Sequence, residues 1–252
     1  TATNAVYLDT TGTTEINTVT FSGFDKVINI IQSGVLTISN ITLAGNIKNF
    51  LYSETDNAIN GNINIKGLTG NSAGYVCFNG PVVGLDSGIN LTISELSGDG
   101  PILMMGVTKK CNIAISDSKF SGIIIGGSNI PSFELDDVEI ERMALNITNS
   151  DNISNISNSK FGVGKSVWGD GRVILSGATA VFKLNLSDNV FANADSGLKM
   201  SESDLNLVAV GNEFKNVDTA YYLHPGKING LSISGGTMNG VDTAIDAQNI
   251  FG

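Results

Sequence analysis

The chain has 252 residues, of which 15% are charged, and its formal net charge is −10. This balance argues against nucleic acid as a partner, because nucleic-acid binding depends on cationic contacts with phosphate, and against an anionic membrane surface. The two cysteines, Cys77 and Cys111, form no metal-binding or disulfide pattern, and we expect neither a metal nor another cofactor. No apolar run approaches the ~20 residues that cross a membrane.

A pair of apolar residues separated by one position recurs along the whole chain, and internal repeats are the first signal to follow in a sequence. If the second residue of each pair is taken as an anchor, successive anchors lie 20 to 30 residues apart, about 24 on average. Each pair predicts a short strand whose anchor faces inward. In chain order, the predicted anchors are Ile16, Ile38, Ile65, Ile93, Ile115, Leu135, Ile156, Leu186, Val210 and Ile233. Ile16 and Ile156 lack the apolar partner and have a Thr and a Ser in its place.

A turn is predicted after each of these strands. In residues 113–122, which read IAISDSKFSG, Asp117 is expected to turn the chain and Phe120 to re-enter the core. Asn, Asp and Gly favour such turns because they tolerate left-handed backbone. The predicted turn residues are Asn40, Gly67, Glu95, Asp117, Asp137, Asn158, Asp188, Asn212 and Gly235.

The rest of each repeat also predicts strands. Short β-branched or aromatic runs such as KVINII, PILMM and TAYYL are bounded by Gly, Asn and Ser, and no amphipathic helix is indicated. A repeat of this kind buries its apolar face by stacking on its neighbours. The sequence therefore predicts an all-β solenoid of about ten coils, forming one domain over residues 1–252 with an irregular first coil or cap at 1–15. The start without Met and the end within a repeat are typical of a piece of a longer chain.

This coil pattern resembles the right-handed parallel β-helix of pectate lyases, phage tailspikes and bacterial surface adhesins. The resemblance extends over nearly the whole chain and rests on the coil pattern. Leucine-rich repeats fit less well, because IIIGGSN does not provide their Leu-rich return segment. The resemblance to phage tailspikes and tail fibres implies binding of a bacterial surface polysaccharide, a homotrimer, and an extracellular location or one on the virion surface. Such an argument by fold supplies only an expectation of function.

The first candidate site lies in the turn positions. Glu95, Asp117 and Asp137 occupy the same position on three successive predicted coils. Adjacent carboxylates would then stand ~5 Å apart and the outer pair ~10 Å apart, which are close to the separations in retaining and inverting glycosidases. Crowding would raise the pKa of one carboxyl, as general acid catalysis requires. If the chain is catalytic, we expect Asp117 to act with Glu95 or Asp137. Turn formation alone also explains these residues.

The second candidate site lies in the longest predicted coil, within the sequence GKSVWGDGRV. Trp168, Asp170 and Arg172 alternate, so an extended backbone would place them on one face. An aromatic ring flanked by an acid and a guanidinium is a suitable sugar platform. Glu139, in the preceding coil, is expected to contribute to substrate binding. The alternative is a glycine-rich loop whose Trp covers the core.

These observations favour a tailspike-like domain that recognises, and depolymerises if it is active, a bacterial surface polysaccharide. Whether the chain is an enzyme stays open; if it is, a glycoside hydrolase is expected. The Gly-His-Gly and Arg-Ile-Lys signatures of polygalacturonase-like enzymes are absent from the sequence. A non-enzymatic adhesin or autotransporter rod is the main alternative, and a polysaccharide lyase or epimerase is the second.

Overall fold

The computed structural model describes residues 2–32, 34–53, 61–78, 89–98, 100–105, 111–128, 130, 132–147, 153–177, 181–202 and 204–248. These residues form eighteen β-strands and no helix, in two compact units, Thr1–Asn129 and Ile130–Gly252. The first unit contains β1 (Ala2–Asp9), β2 (Thr14–Ser22), β3 (Phe24–Gln32), β4 (Leu36–Ser53), β5 (Gly61–Phe78), β6 (Ile89–Ser94), β7 (Ile102–Met105) and β8 (Cys111–Ser128). The second contains β9 (Phe133–Ile147), β10 (Ile153–Ser157), β11 (Lys160–Phe161), β12 (Trp168–Ser176), β13 (Val181–Ser187), β14 (Val190–Ser201), β15 (Asp204–Val210), β16 (Glu213–His224), β17 (Ile228–Ser234) and β18 (Thr237–Ala247).

Each strand pairs in parallel with strands one coil before or after it in the sequence. In the first unit, β2, β4, β5, β6 and β8 align the anchors Ile16, Ile38, Ile65, Ile93 and Ile115. In the second unit, β9, β10, β13, β15 and β17 align Leu135, Ile156, Leu186, Ala209 and Ile233. The chain is therefore a parallel β-solenoid, as predicted, with about eight turns of about 23 residues instead of ten turns of about 24. Within residues 1–15, β1 pairs in parallel with β3, with a register irregularity between Leu8 and Asp9.

A coil has three sides separated by left-handed residues. In the coil that begins at β13, Asp188 (φ 55°) follows the first strand and Asn193 (φ 58°) divides β14 into a short and a long side. The next coil repeats this arrangement with Gly211 (φ 69°) and Asn216 (φ 51°). Left-handed backbone is accessible to Gly and, among other residues, mainly to Asn and Asp, which explains the composition of the corners.

One predicted anchor is wrong by one residue. Val210 was expected to face inward, but its side chain is 44% exposed, whereas Ala209 is fully buried and pairs with Leu186. The run Leu207–Val210 is apolar at every position. No polar residue within it marks the outward side, so a one-residue shift could not be detected from the sequence. The corrected register makes Gly211 the left-handed turn residue in place of Asn212.

Two rows of buried side chains stabilise the corner after the anchor strand. Asn212 donates from Nδ2 to the carbonyl of Leu186 (3.1 Å), and its Oδ1 accepts from the backbone N–H of Asn189 (3.1 Å). These bonds satisfy backbone groups that would otherwise be buried without a partner. Beside them, the rings of Phe161, Phe191 and Phe214 stack on successive coils, with centroids 5.1 and 5.0 Å apart.

The corrected register predicts that substitutions at two adjacent residues have very different effects on the free energy of unfolding. Leu207 is fully buried and Val208 is 41% exposed. We expect Leu207→Ala to lower the free energy of unfolding by about 2–5 kcal/mol, because it leaves a cavity. Val208→Ala should change it by less than about 1 kcal/mol. Urea unfolding followed by circular dichroism measures both changes in the free energy of unfolding. A larger loss for Val208→Ala than for Leu207→Ala would restore Val210 as the anchor.

Candidate functional site

The acidic residues of the first candidate site are corner residues. Glu95 (φ 55°), Asp117 (φ 48°) and Asp137 (φ 50°) all have left-handed backbone and exposed side chains. The carboxylate of Glu95 lies 3.3 Å from Nζ of Lys66, on the preceding coil. Both side chains of this ion pair are more than half exposed, so it contributes little to stability.

The structure brings two of these three acids onto neighbouring coils. Ser94 pairs with Ser116, so Glu95 and Asp117, which follow them, are about one strand spacing (~4.8 Å) apart along the first unit. Asp137 belongs to the second unit, where the pairing of Asp136 with Ser157 makes Asn158 its neighbour on the next coil. The catalytic role of the three acids stays a prediction.

Arg172 does not share an exposed face with Trp168 and Asp170, and that prediction is wrong. Its side chain is fully buried, because a register irregularity between Trp168 and Gly171 breaks the alternation of β12. The guanidinium donates to four backbone carbonyls: Nε to Ala192 (2.8 Å), Nη1 to Glu141 (3.2 Å), and Nη2 to Ser166 (2.8 Å) and Asn193 (2.6 Å). A buried cation needs such partners to offset its desolvation.

Burial lowers the pKa of the Arg172 guanidinium; the negative charge of Glu141 opposes this shift and the positive charge of Arg142 adds to it. Because arginine retains its proton throughout the physiological range, the buried group remains a cation. Arg172 is therefore a structural centre that joins three segments of the second unit.

Five of the seven extra residues of the longest coil lie at one corner. Twelve positions separate Phe161 from Val173, whereas seven separate their partners Phe191 and Leu198 on the next coil. Gly171 permits a close approach there, because a Cβ at this position would stand 2.8 Å from Cβ of Lys199. The insertion thus brings Trp168 and Asp170 over the neighbouring coil while the rows on either side keep their register.

Side-chain contacts extend from Trp168 and from Asp170 of this insertion to neighbouring coils. The guanidinium carbon of Arg142 lies 4.1 Å from the centroid of the Trp168 ring, which is a cation–π geometry. Lys199 forms a 2.7 Å ion pair with Asp170, and its Nζ lies 5.7 Å from the centroid of the Tyr222 ring. We call this surface the Trp168 face; its members are Arg142, Trp168, Asp170, Lys199, Tyr222, His224 and Asp246.

The far end of the Trp168 face is formed by the last two coils. Tyr222 stacks on His224 with 3.9 Å between ring centroids, and Nε2 of His224 lies 3.1 Å from the carboxylate of Asp246. Strand register explains this grouping, because Lys199 pairs with Tyr222 and Tyr222 pairs with Asp246. All these side chains are partly exposed. They offer ring faces together with hydrogen-bond donors and acceptors.

Two influences act on the Asp170 carboxyl. Burial disfavours its ionised form, but the hydrogen bond and charge of Lys199 and the backbone N–H of Gly171 outweigh burial, so the pKa of Asp170 is lowered. Asp170 and Lys199 therefore remain an ion pair at neutral pH.

Glu139, the remaining predicted contact, lies on the short side of its coil, before the Trp168 face begins. It is partly buried and pairs in register with Lys160 of β11. Its predicted role in substrate binding, like those of Trp168 and Asp170, stays a prediction.

A second row of acids, absent from the sequence-based candidates, lies beside the Trp168 face. Ala194 pairs with Val217 and Val217 with Val241, so the exposed residues Asp195, Asp218 and Asp242 that follow them occupy successive coils. Asp195 is close to the platform, since its Oδ2 lies 4.0 Å from the point where a Cβ on Gly169 would stand. Among the described residues, no group of three His, Cys, Asp or Glu side chains is arranged to hold a metal ion.

The sequence held a signal for these missed residues. Lys199, Tyr222 and Asp246 are 23 and 24 residues apart, and Asp195, Asp218 and Asp242 have the same two spacings. Each set therefore repeats at the coil length. The spacing becomes informative only after the register of the coil containing Ala209 is known.

The fold and the Trp168 face define a parallel β-solenoid with an aromatic and ionic surface on its second unit. Comparison of the sequence with protein-family models and curated proteins, and of the fold with solved structures, gave no match. In the part of the chain that the structure describes, no helix is long and apolar enough to cross a membrane.

The lowered pKa of Asp170 predicts a pH-dependent contribution to stability. A carboxyl whose folded pKa is below its unfolded value stabilises the folded state above about pH 4, and this contribution is lost as pH falls through the folded pKa. We expect Asp170→Asn to lower the free energy of unfolding by about 0.2–1 kcal/mol at pH 7, because the pair is partly exposed. The difference should decrease as pH falls below about 4.

Urea unfolding of both proteins between pH 7 and pH 2 measures this difference. In a Lys199→Gln background, Asp170→Asn should have little effect at any of these pH values, since the partner is absent. A difference that is independent of pH would contradict the assignment of the ion pair.

Proposed function

We propose that this chain is a polysaccharide-recognition solenoid, similar in role to a phage tailspike or tail-fibre receptor-binding domain, and that the Trp168 face binds the glycan. The proposal is supported by two sets of contacts, that of Arg142 with Trp168 and the series from Asp170 through Lys199 to Asp246, which bring two aromatic residues and several polar groups to partly exposed positions. The proposed ligand is a bacterial surface polysaccharide. A homotrimer and an extracellular or virion-surface location belong to the same proposal.

The chemistry of the Trp168 face suits an extended sugar chain. Aromatic rings pack against the apolar faces of sugars, while carboxylate and ammonium groups form hydrogen bonds with hydroxyls. Asp170 and Asp246 balance the charges of Arg142 and Lys199, so the face does not require a strongly charged ligand. The coil spacing of ~4.8 Å is also close to the rise of an extended sugar chain.

Aromatic substitutions on the face test this proposal. We expect Trp168→Ala and Tyr222→Ala each to weaken glycan binding by about tenfold or more, because central aromatic contacts commonly contribute over 1 kcal/mol. Tyr7→Ala is the matched control, since Tyr7 is a 62% exposed aromatic residue of the first unit. Binding is measured by calorimetry with purified capsular and lipopolysaccharide glycans.

If the parent protein binds none of these glycans, the proposal is rejected. That result would favour a structural rod whose partner is a protein. Equal losses in Trp168→Ala and Tyr7→Ala would place binding elsewhere on the chain. Thermal unfolding of every variant separates a binding defect from a folding defect.

Hydrolysis of the bound glycan is a second candidate function. The row formed by Asp195, Asp218 and Asp242 favours it, because adjacent members are one strand spacing (~4.8 Å) apart and the outer two about 10 Å apart. These separations are close to those of carboxylate pairs in retaining and inverting glycosidases respectively. The row also borders the proposed glycan platform. Glu95 and Asp117 provide a second, similarly spaced pair on the first unit.

Release of oligosaccharides distinguishes these two carboxylate rows. If an adjacent pair in the row beside Trp168 is catalytic, Asp218→Asn should abolish release, because Asp218 belongs to both adjacent pairs, and Asp117→Asn should leave it unchanged. If the outer pair is catalytic, Asp195→Asn should abolish release instead. The opposite result would place catalysis on the first unit, as the sequence predicted. Reducing-end assays measure the rate, and product masses separate hydrolysis from the elimination expected of a lyase. No release by the parent would leave recognition without catalysis.

A further inference from the structure

The inserted corner that supports Trp168 is fastened by the side chain of Asn193. Its Nδ2 donates to the carbonyl of Gly162 (3.2 Å) and to the carbonyl of Lys165 (3.1 Å). The backbone N–H of Lys165 donates to the same Gly162 carbonyl (3.1 Å), which closes the insertion into a turn. One amide group on the following coil therefore holds both ends of this turn.

Arg172 extends the same network to the residues next to Trp168. Its Nη2 donates both to the carbonyl of Ser166 and to the carbonyl of Asn193 itself. The buried guanidinium thus fixes the backbone of the residue that fastens the turn. The two side chains together bind the carbonyls of Gly162, Lys165 and Ser166, just before Trp168.

We infer that Asn193 is a positioning residue for the Trp168 platform, and that Arg172 holds Asn193 in place. The inference is that these side chains hold the Gly162–Trp168 segment in one conformation. It rests on the proposed function only where it predicts an effect on glycan binding. A platform ordered before binding loses less conformational entropy when a ligand arrives. Side chains that support a binding group from behind act in this way in other sites.

Substitutions at Asn193 can remove the side-chain bonds without changing the corner. Asn193 has φ 58°, a conformation that Gly adopts without strain and Asp tolerates. Asn193→Gly deletes the amide, and Asn193→Asp keeps an oxygen that can accept from Asn216 but has no N–H to donate. Asn216, at the equivalent corner of the next coil (φ 51°), provides the matched controls Asn216→Gly and Asn216→Asp.

Two measurements report on the platform without any ligand. Trp168 is the only tryptophan, so its emission wavelength and its quenching by acrylamide report on its own surroundings. Lys165 is exposed and makes the Lys165–Ser166 bond a trypsin site within the fastened turn. We expect both Asn193 variants to shift the emission to longer wavelength, to increase quenching, and to speed cleavage after Lys165 about tenfold, as local opening becomes easier. The Asn216 variants should change neither.

Glycan affinity is then measured on the parent, the two Asn193 variants, the two Asn216 variants and Trp168→Ala. Weaker binding by Asn193→Gly, with unchanged binding by Asn216→Gly, is the expected result. Unchanged emission and cleavage in both Asn193 variants would overturn the positioning role, whatever the glycan result. Altered emission and cleavage together with a parent that binds no glycan would leave the positioning role standing and reject the proposed function.

Discussion

The structure depends on parallel, in-register hydrogen bonding between one coil and the next. A single coil has no interior of its own, and its apolar residues are buried only because equivalent residues of the neighbouring coils lie above and below them. The rows Ile16–Ile115 and Leu135–Ile233 are the direct result. Every corner must therefore turn at the same point of the repeat, which imposes left-handed backbone on Asp, Asn, Glu and Gly at these positions.

The same constraint made most of the fold predictable. An inward residue, a corner and a second inward residue recur at each coil, so the spacing of Ile115, Asp117 and Phe120 carries structural information without any single strong motif. The prediction was wrong where the sequence supplied no polar marker. Around Ala209, four apolar residues in succession allow two registers. The choice between them is made by Asn212 and Phe214, which pack against equivalent side chains of the preceding coil.

The candidate site was less predictable because it departs from the repeat. Alternation predicted that Arg172 faces outward, and alternation ends at the register irregularity that precedes it. Once inside, the guanidinium binds carbonyl groups from three segments, and no pairwise pattern in the sequence encodes those bonds. Tyr222 and Asp246 were not recognised because they reach the insertion only through Lys199, a residue on another coil that contacts Asp170. Contacts across coils become readable only after the register is fixed.

The insertion between Phe161 and Val173 has a consequence for how such a chain diversifies. Five additional residues enter at a corner, while the stacked Phe rows before it and the Val173–Leu198 pairing after it are unaffected. Corner length is thus uncoupled from the hydrophobic interior. Evolution, or a protein engineer, can exchange one corner for a longer or shorter segment and alter the outer surface locally. The solenoid then serves as a scaffold on which surface loops vary independently of folding.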